Sequence, residues 1–398
     1  MMQCTRKVTD GIYWVGANDR RLAKFENMFP IPRGVSYNSY VILDGKTALM
    51  DTADSSVAER FMENVAAVLD GRALDYLVVQ HMEPDHCANI AAIIEKYPDV
   101  TVVGNAKTMQ MIGQFYSGTK AKHTLLVKEG DKLPLGEHEL TFVTAPMVHW
   151  PEVMVSYESK EKILFSADAF GTFGALNGAL FDDEIFFDAI WMADARRYYT
   201  NIVGKYGPQV QALLKKAAGI EIDMICPLHG PVWRSDLDLL LEKYDQWSRY
   251  EAEEDGVLLV YGSMYGNTEN AVEVLAAEMV EQGMKNIKVY DASVTDCSYL
   301  IAEAFRYSRI LVAAPTYNAG LFAPVEHFLN DMKALNLQNK KIALVENGSW
   351  APMAGKHMKA IVETMKNMEI VEPVLTLKSA IQPAQTEDVK KLVEELLK

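Results

Sequence analysis

His81-Met82-Glu83-Pro84-Asp85-His86 places four side chains able to ligate a metal within six residues. The hexapeptide directly follows the apolar run Tyr76-Leu77-Val78-Val79-Gln80, so it reads as a loop at the end of a strand. Pro84 disfavours the helical region for Glu83, which predicts an extended loop whose alternate side chains converge on one point. Three more candidates occupy the same kind of position downstream. His149 follows a run ending Pro146-Met147-Val148, Asp168 ends Lys162-Ile163-Leu164-Phe165-Ser166-Ala167, and His229 follows Ile225-Cys226-Pro227-Leu228. Strand ends on one sheet edge are close in space, so the seven are expected to form one cluster. A single His or Asp at a strand end is more often a turn residue. His123 and His138 are read that way, and His327 and His357 as solvated helix residues.

Charge then limits the metal. Four neutral imidazoles and three carboxylates carry three negative charges. Two divalent ions with a bridging hydroxide bring the site to zero, and two trivalent ions with an oxo bridge leave one positive charge, so either oxidation state avoids a large buried charge. Seven ligands are too many for one tetrahedral ion, whereas two metals sharing Asp168 as a bridge would use them all. The four cysteines, Cys4, Cys87, Cys226 and Cys297, contain no CxxC pair. That pattern does not suggest a zinc ribbon, a rubredoxin-type centre or a disulfide framework, and any metal is expected on His, Asp and Glu. Imidazole and carboxylate ligation without thiolate suits non-haem iron, or manganese, in redox work.

A second set of loops suggests a second cofactor. Ser263-Met264-Tyr265-Gly266-Asn267-Thr268 lies between an apolar strand and an amphipathic helix. Small and hydroxyl residues at a helix N-terminus offer amide donors and the positive dipole end to a phosphate. The loop matches neither dinucleotide nor triphosphate fingerprints and holds no Lys or Arg, which suits a flavin mononucleotide. Pro315-Thr316-Tyr317-Asn318-Ala319-Gly320 and Asn347-Gly348-Ser349-Trp350-Ala351 follow two later strands, each with an aromatic residue in a glycine-containing loop. Stacking on a flat ring is the natural use of Tyr317 and Trp350, and glycine permits close backbone approach.

The elements that must position these residues change rhythm near Tyr250–Gly256, where a charged stretch ends in glycine. The domain boundary is expected there, giving residues 1–250 and 251–398. Before it, short strands and helices interleave, with Asp44-Gly45 as a hairpin turn. After it, five strands alternate with five helices, the pattern of a doubly wound parallel sheet that binds ligands beyond its strand C-termini. Twenty methionines are read as core or surface filler, Met279 and Met365 among them. Over 398 residues the net charge is −15 and both parts are acidic, which argues against nucleic acid. No apolar run is long enough for a membrane helix and the N-terminus lacks a signal-like apolar stretch, so a soluble, cytoplasmic protein is expected.

The H-x-E-x-D-H loop resembles the metal motif of the metallo-β-lactamase fold, with Glu83 where the hydrolases carry a second histidine. That exchange is characteristic of the flavodiiron proteins, and His149, Asp168 and His229 match the remaining ligands of that family. The resemblance spans essentially the whole chain. It implies a metallo-β-lactamase-like αββα sandwich followed by a flavodoxin-like parallel sheet, a chain of α+β and α/β class. It also implies two irons, His81, Glu83 and His149 holding one and Asp85, His86 and His229 the other, with Asp168 bridging, and FMN in the three later loops. The implied activity is reduction of O2 to water, of NO to nitrous oxide, or both. Electrons would arrive through FMN from a separate rubredoxin-like carrier, since the chain stops after the flavodoxin-like helix. A head-to-tail homodimer or a dimer of dimers is the implied assembly, and Tyr198 or Tyr199 is a candidate proton donor. The competing readings are a dizinc hydrolase with a flavodoxin appendage, which Glu83 opposes, and a non-catalytic electron-transfer flavoprotein.

Overall fold

A computed structural model describes residues 2–119 and 121–398. The chain divides into two compact units, one of Met1–Tyr199 with Pro208–Asp245 and the other of Thr200–Gly207 with Gln246–Lys398. Among the described residues no helix is long and apolar enough to cross a membrane.

The first unit holds two principal sheets. One has seven strands, in the order Arg6–Thr9, Ile12–Trp14, Tyr40–Leu43, Thr47–Met50, Tyr76–Val78, Thr101–Gly104 and His123–Leu126. The other has five: Lys132–Pro134, Glu139–Thr144, Met154–Glu158, Ile163–Phe165 and Met224–Cys226. The Asp44-Gly45 turn joins Tyr40–Leu43 to Thr47–Met50 as expected, with Leu43 paired to Thr47. The sheets pack face to face through rings such as Tyr40 and Phe165, 5.4 Å apart. Fully buried aliphatic residues on the same strand faces as these rings, Ile42, Met50, Val78 and Ile163 among them, fill the layer between, while Val41, Leu49 and Leu77 point to the opposite face of the seven-stranded sheet. Each contributes about 1.5–3 kcal/mol relative to exposure. Helices Ala58–Leu69, Ile90–Lys96 and Ala106–Phe115 belong to the same unit.

The second unit is a sheet of five parallel strands in the order Ile287–Asp291, Glu254–Tyr261, Tyr307–Tyr317, Lys341–Asn347, Glu369–Leu377. Numbered along the chain this is 2-1-3-4-5, the flavodoxin order. Side chains alternate between two cores. Leu258, Val260, Ile310 and Val312 point to one face, with Phe305, Phe328 and Met358 from the helices there. Val257, Leu259, Leu311 and Ala313 point to the other, with Leu275, Met279 and Leu392. A strand apolar at every position therefore follows from a sheet covered on both faces.

Candidate metal centre and cofactor cavity

The seven side chains singled out in the first unit come together, and all are buried. They form two groups. His81 Nε2, Glu83 Oε2, His149 Nε2 and Asp168 Oδ2 make the first, with separations of 3.0–3.3 Å between imidazole nitrogens and carboxylate oxygens. Asp85 Oδ2, His86 Nε2 and His229 Nε2 make the second, 3.0–3.3 Å apart. Asp168 faces both, since its other oxygen, Oδ1, lies 3.2 Å from His86 Nε2 and 3.6 Å from His229 Nε2.

These spacings fit metal ions. Ligand atoms about 2.1 Å from a shared ion lie roughly 3.0 Å from one another in octahedral and roughly 3.4 Å in tetrahedral coordination. Both carboxylate oxygens of Asp85 and of Asp168 are buried without a hydrogen-bond partner, an arrangement costing several kcal/mol unless a cation satisfies them. The titration of the cluster makes the same demand. Burial opposes a charged His81, but Asp168, Glu152 and Glu83 outweigh it and hold the pKa well above the ordinary imidazole value. His86 and His149 are each pushed up to about 9 in the same way, by Asp85 and Asp168 in the first case and by Asp168 and Glu83 in the second. Glu83 and Asp168 are held well below the carboxylate range, burial being overcome chiefly by His149 for Glu83 and by His81 and His86 for Asp168. The site attracts positive charge, and two divalent ions meet that attraction.

Two local features depart from expectation. Glu83 is extended (φ −64°, ψ 139°), as Pro84 requires, but Pro84–Cys87 then closes a short helical turn, so Asp85 and His86 project from a helix rather than an extended loop. Proline is favoured in a first helical turn because its missing N–H is not needed there. The ligands also come from two sheets rather than one edge: His81 follows a strand of the seven-stranded sheet, and His149, Asp168 and His229 follow strands of the five-stranded one. Left-handed backbone lies close by in sequence at Met147 (φ 66°) and Ala167 (φ 51°), costing on the order of 1–3 kcal/mol each.

Sequence reasoning missed the residues that aim the ligands. Glu152 Oε1 lies 2.9 Å from His81 Nδ1 and also accepts from the Met82 amide, so His81 presents Nε2 inward. His229 Nδ1 lies 2.7 Å from the carbonyl of Ser36, which makes it the donor and fixes the tautomer. Asp51 accepts from the amides of Gln80 and His81 and from the Gln80 side chain, and burial pushes its pKa up to about 6. Glu152 follows the His149-Trp150-Pro151 segment and Asp51 ends an apolar strand, so each carried a positional signal.

Phe25 and Tyr37 pack on His229, with ring centroids 5.3 and 5.8 Å away, and Trp150 packs on His81 at 5.4 Å. Tyr198 is fully buried 5.5 Å from His229, with no hydrogen-bond partner for its hydroxyl. Burial, then the charges of Asp168, Glu83 and Asp85, keep it protonated. Tyr199 meets Tyr244 edge to face, with ring centroids 5.0 Å apart. His138 is no simple turn residue: it is buried with Nδ1 3.0 Å from Glu158. His123 is exposed on a strand, and His327 and His357 lie on helices.

In the second unit the three loops line one cavity of about 430 Å³ at the C-terminal ends of strands Glu254–Tyr261, Tyr307–Tyr317 and Lys341–Asn347. Ser263, Met264, Tyr265, Asn267 and Thr268 line it from the first loop, Pro315 to Ala319 from the second, and Gly348 to Ala351 from the third. Asn347, which opens the third loop, and Ser379 complete the wall, and of the two only Ser379 lies outside the loops read from the sequence. Asn347 Nδ2 donates to the Ser379 carbonyl at 2.7 Å and to Thr268 Oγ1 at 3.3 Å, tying the third loop to the first. No Lys or Arg lines the cavity, and the helix Asn267–Glu281 starts at it.

Among the loop glycines only Gly348 lines the cavity, and Gly266 and Gly320 serve the backbone. Gly266 (φ 87°) is the left-handed residue entering that helix. Gly320 does not line the cavity; the hairpin turn there is made by Asn318 and Ala319 (φ 49° and 59°), with Tyr317 paired to Gly320. At Gly348 a Cβ would meet Pro352 at 2.7 Å.

Comparison with known proteins gives matches to both units. Residues 35–230 match the family model described as ODP family beta lactamase, and residues 259–391 match the flavodoxin family. The chain is 34% identical over 370 residues to a nitric oxide reductase of Moorella thermoacetica, covering 92% of this chain and 91% of that one. It superimposes on rubredoxin oxygen:oxidoreductase from Desulfovibrio gigas with a TM-score of 0.93 and 28% identity, covering 99% of this chain and 98% of that one. A flavodiiron protein from Giardia intestinalis gives the same TM-score at 26% identity, covering 100% and 97%.

Proposed function

The chain belongs to the flavodiiron proteins, and we propose that it reduces O2 to water, NO to nitrous oxide, or both, with electrons passed through FMN from an external carrier. One observation carries this reading: a buried carboxylate, Asp168, turned between two ligand groups that together contain no thiolate. His81, Glu83 and His149 would hold one iron, Asp85, His86 and His229 the other, and Asp168 would bridge them. When bound, the irons supply redox chemistry and Lewis acidity toward a diatomic oxidant, and FMN supplies reducing equivalents.

The protein's own residues do the rest. Glu152 and the Ser36 carbonyl hold His81 and His229 in the tautomers that turn Nε2 inward. Phe25, Tyr37 and Trp150 give the ligands an apolar surround suited to a small neutral oxidant rather than an ionic substrate. Tyr198 keeps its phenolic proton beside three carboxylates, 5.5 Å from His229, and would be the proton source nearest that ligand. In the second domain, taken as residues 251–398 after a diiron domain of 1–250, Ser263, Thr268 and the helix amides would receive the phosphate. Tyr317 and Trp350 would flank the flavin ring.

Support for a rubredoxin-like donor comes from the name of a structural relative. A cytoplasmic head-to-tail homodimer, alone or paired into a dimer of dimers, completes the proposal, because such an arrangement sets each chain's flavin beside its partner's irons. The test of the activity is anaerobic reduction followed by measured additions of O2 or NO. Stoichiometric reoxidation with water or nitrous oxide as product supports the reading; zinc in the site and no reoxidation overturn it. The dimer is tested by mixing His81→Ala with Asp168→Ala in one chain and Thr268→Asp in the other. Recovered turnover after subunit exchange supports transfer between chains, and consistently inactive, folded mixtures refute it.

A further inference from the structure

Among the described residues a third group of metal-ligating side chains forms outside the sites above: Cys297, His327 and Asp331 in the second unit. Cys297 opens the helix Cys297–Arg306, and His327 and Asp331 sit one turn apart on the adjacent helix Ala323–Ala334. Their ligand atoms all lie within 4.8 Å of one another, and His327 Nε2 is 3.4 Å from Asp331 Oδ2. Tetrahedral ligands at about 2.0–2.3 Å from one ion are separated by roughly 3.3–3.7 Å, so a small rotation of the exposed imidazole suffices to close the set.

The thiol is not needed for the helix start. Asp296 already caps that helix, its carboxylate accepting from Ser298 N and Ser298 Oγ. Burial, reinforced by the charge of Asp331 and a hydrogen bond to it, pushes the Cys297 pKa up, so the thiol proton stays on sulfur. Beside the group is a cavity of about 420 Å³, to which Cys297 and His327 both contribute along with Thr295 and Pro324. It provides a route for an ion and room for a further ligand.

We propose that Cys297, His327 and Asp331 form a divalent-cation site of the zinc class, with three protein ligands and a fourth position open to the adjoining cavity. A thiolate and a carboxylate balance a dication, and binding displaces the thiol proton to solvent. Thiolate with imidazole selects a borderline-soft ion over magnesium or calcium. The iron ligands contain no thiolate, so the two sites discriminate between metals by ligand type.

The test uses the FMN- and iron-loaded protein in a Cys4→Ser background, with Co(II) as probe. The expected result is a near-ultraviolet thiolate-to-cobalt absorption, in the difference spectrum, saturating at one cobalt per chain and reversed by Zn(II). No such band can arise at the iron site. Cys297→Ser should abolish it. His327→Ala, on an exposed helix face, should weaken cobalt binding by roughly tenfold or more, since loss of even a supporting partner costs a metal site that much. Absence of the band in folded protein overturns the proposal, as does a band of unchanged affinity in His327→Ala.

Discussion

The metal cluster and the flavin cavity solve opposite problems. The first is closed: seven ionisable side chains, His81, His86 and His229 among them at 0% exposure, are drawn from two sheets. The second is open: its side chains are uncharged, it lies at one edge of one sheet, and Tyr265 and Trp350 on its rim are each 92% exposed. A small multivalent ion requires its counter-charges to be assembled and desolvated in advance, whereas a large planar cofactor needs a surface with one neutral anion pocket. The comparison teaches that damage should be steep in the first site and graded in the second.

Glu83→Ala is the strongest attempt to break that contrast. Iron content and turnover with either oxidant should fall by about a hundredfold or more, because a direct ligand is lost where even supporting partners cost 10–100-fold. FMN content should be unchanged, because the cavity belongs to a separate core. Metal analysis beside flavin absorbance checks both halves; a variant with full iron and full turnover means the ligand assignment is wrong.

Glu152→Gln sharpens the same point one bond further out. It keeps the shape but removes the charge facing His81 Nδ1. Iron affinity should drop by roughly tenfold to a hundredfold, with flavin binding untouched, as read by competition with a chelator. An unchanged iron affinity would reduce Glu152 to packing.

In the open site, Trp350→Ala should raise the FMN dissociation constant by only about tenfold, the worth of one stacking partner, while iron stays bound. Fluorescence titration of the flavin-free protein measures it. A loss as steep as that of Glu83→Ala would erase the distinction between the two regions.

The smallest effect concerns Lys340, buried in the second unit with Nζ donating to the carbonyls of Phe305 and Tyr307, both at 2.8 Å. Burial lowers its pKa from 10.5 to about 7. Between those values the unfolded chain holds the proton and the folded one does not, so this lysine makes stability rise with pH through that window, by at most about 1.4 kcal/mol per pH unit. Urea unfolding of the second unit, followed by flavin fluorescence from pH 7 to 9, should show that slope, and Lys340→Met should flatten it. Equal slopes would place the lysine's proton elsewhere.

How far the molecule could be read in advance follows the same division. The ligand loop was legible because histidine and carboxylate rarely crowd one strand end, and the parallel sheet because each strand runs into a helix. What stayed hidden depends on contacts made only on folding. Glu152 and Asp51 act through His81, and although each sits in a telling position, after the His149 segment or at a strand end, only the fold shows which ligand it supports. Gly320 is expected to make room for a ligand, whereas Asn318 and Ala319 make that turn and Gly320 lies off the cavity; Gly348 does line it, with Pro352 leaving no space for a side chain there. Pro84 was read as holding its loop extended, yet it equally starts a helix once Glu83 has taken the extended conformation. Cys297 and the His327–Asp331 pair sit on neighbouring helices, so no spacing rule joins them.

The two-sheet origin of the metal ligands bears on how the protein matures. His86 and His229 meet across 143 residues of chain, and neither group of ligands faces Asp168 until both sheets have closed. A nascent polypeptide that has only emitted the first loop holds Glu83, Asp85 and two histidines without their partners, and would bind iron weakly and in the wrong geometry. Iron must then enter last, into a finished sandwich. Cells starved of iron should accumulate folded, flavin-bearing, metal-free protein that becomes active within minutes of resupply, without new synthesis.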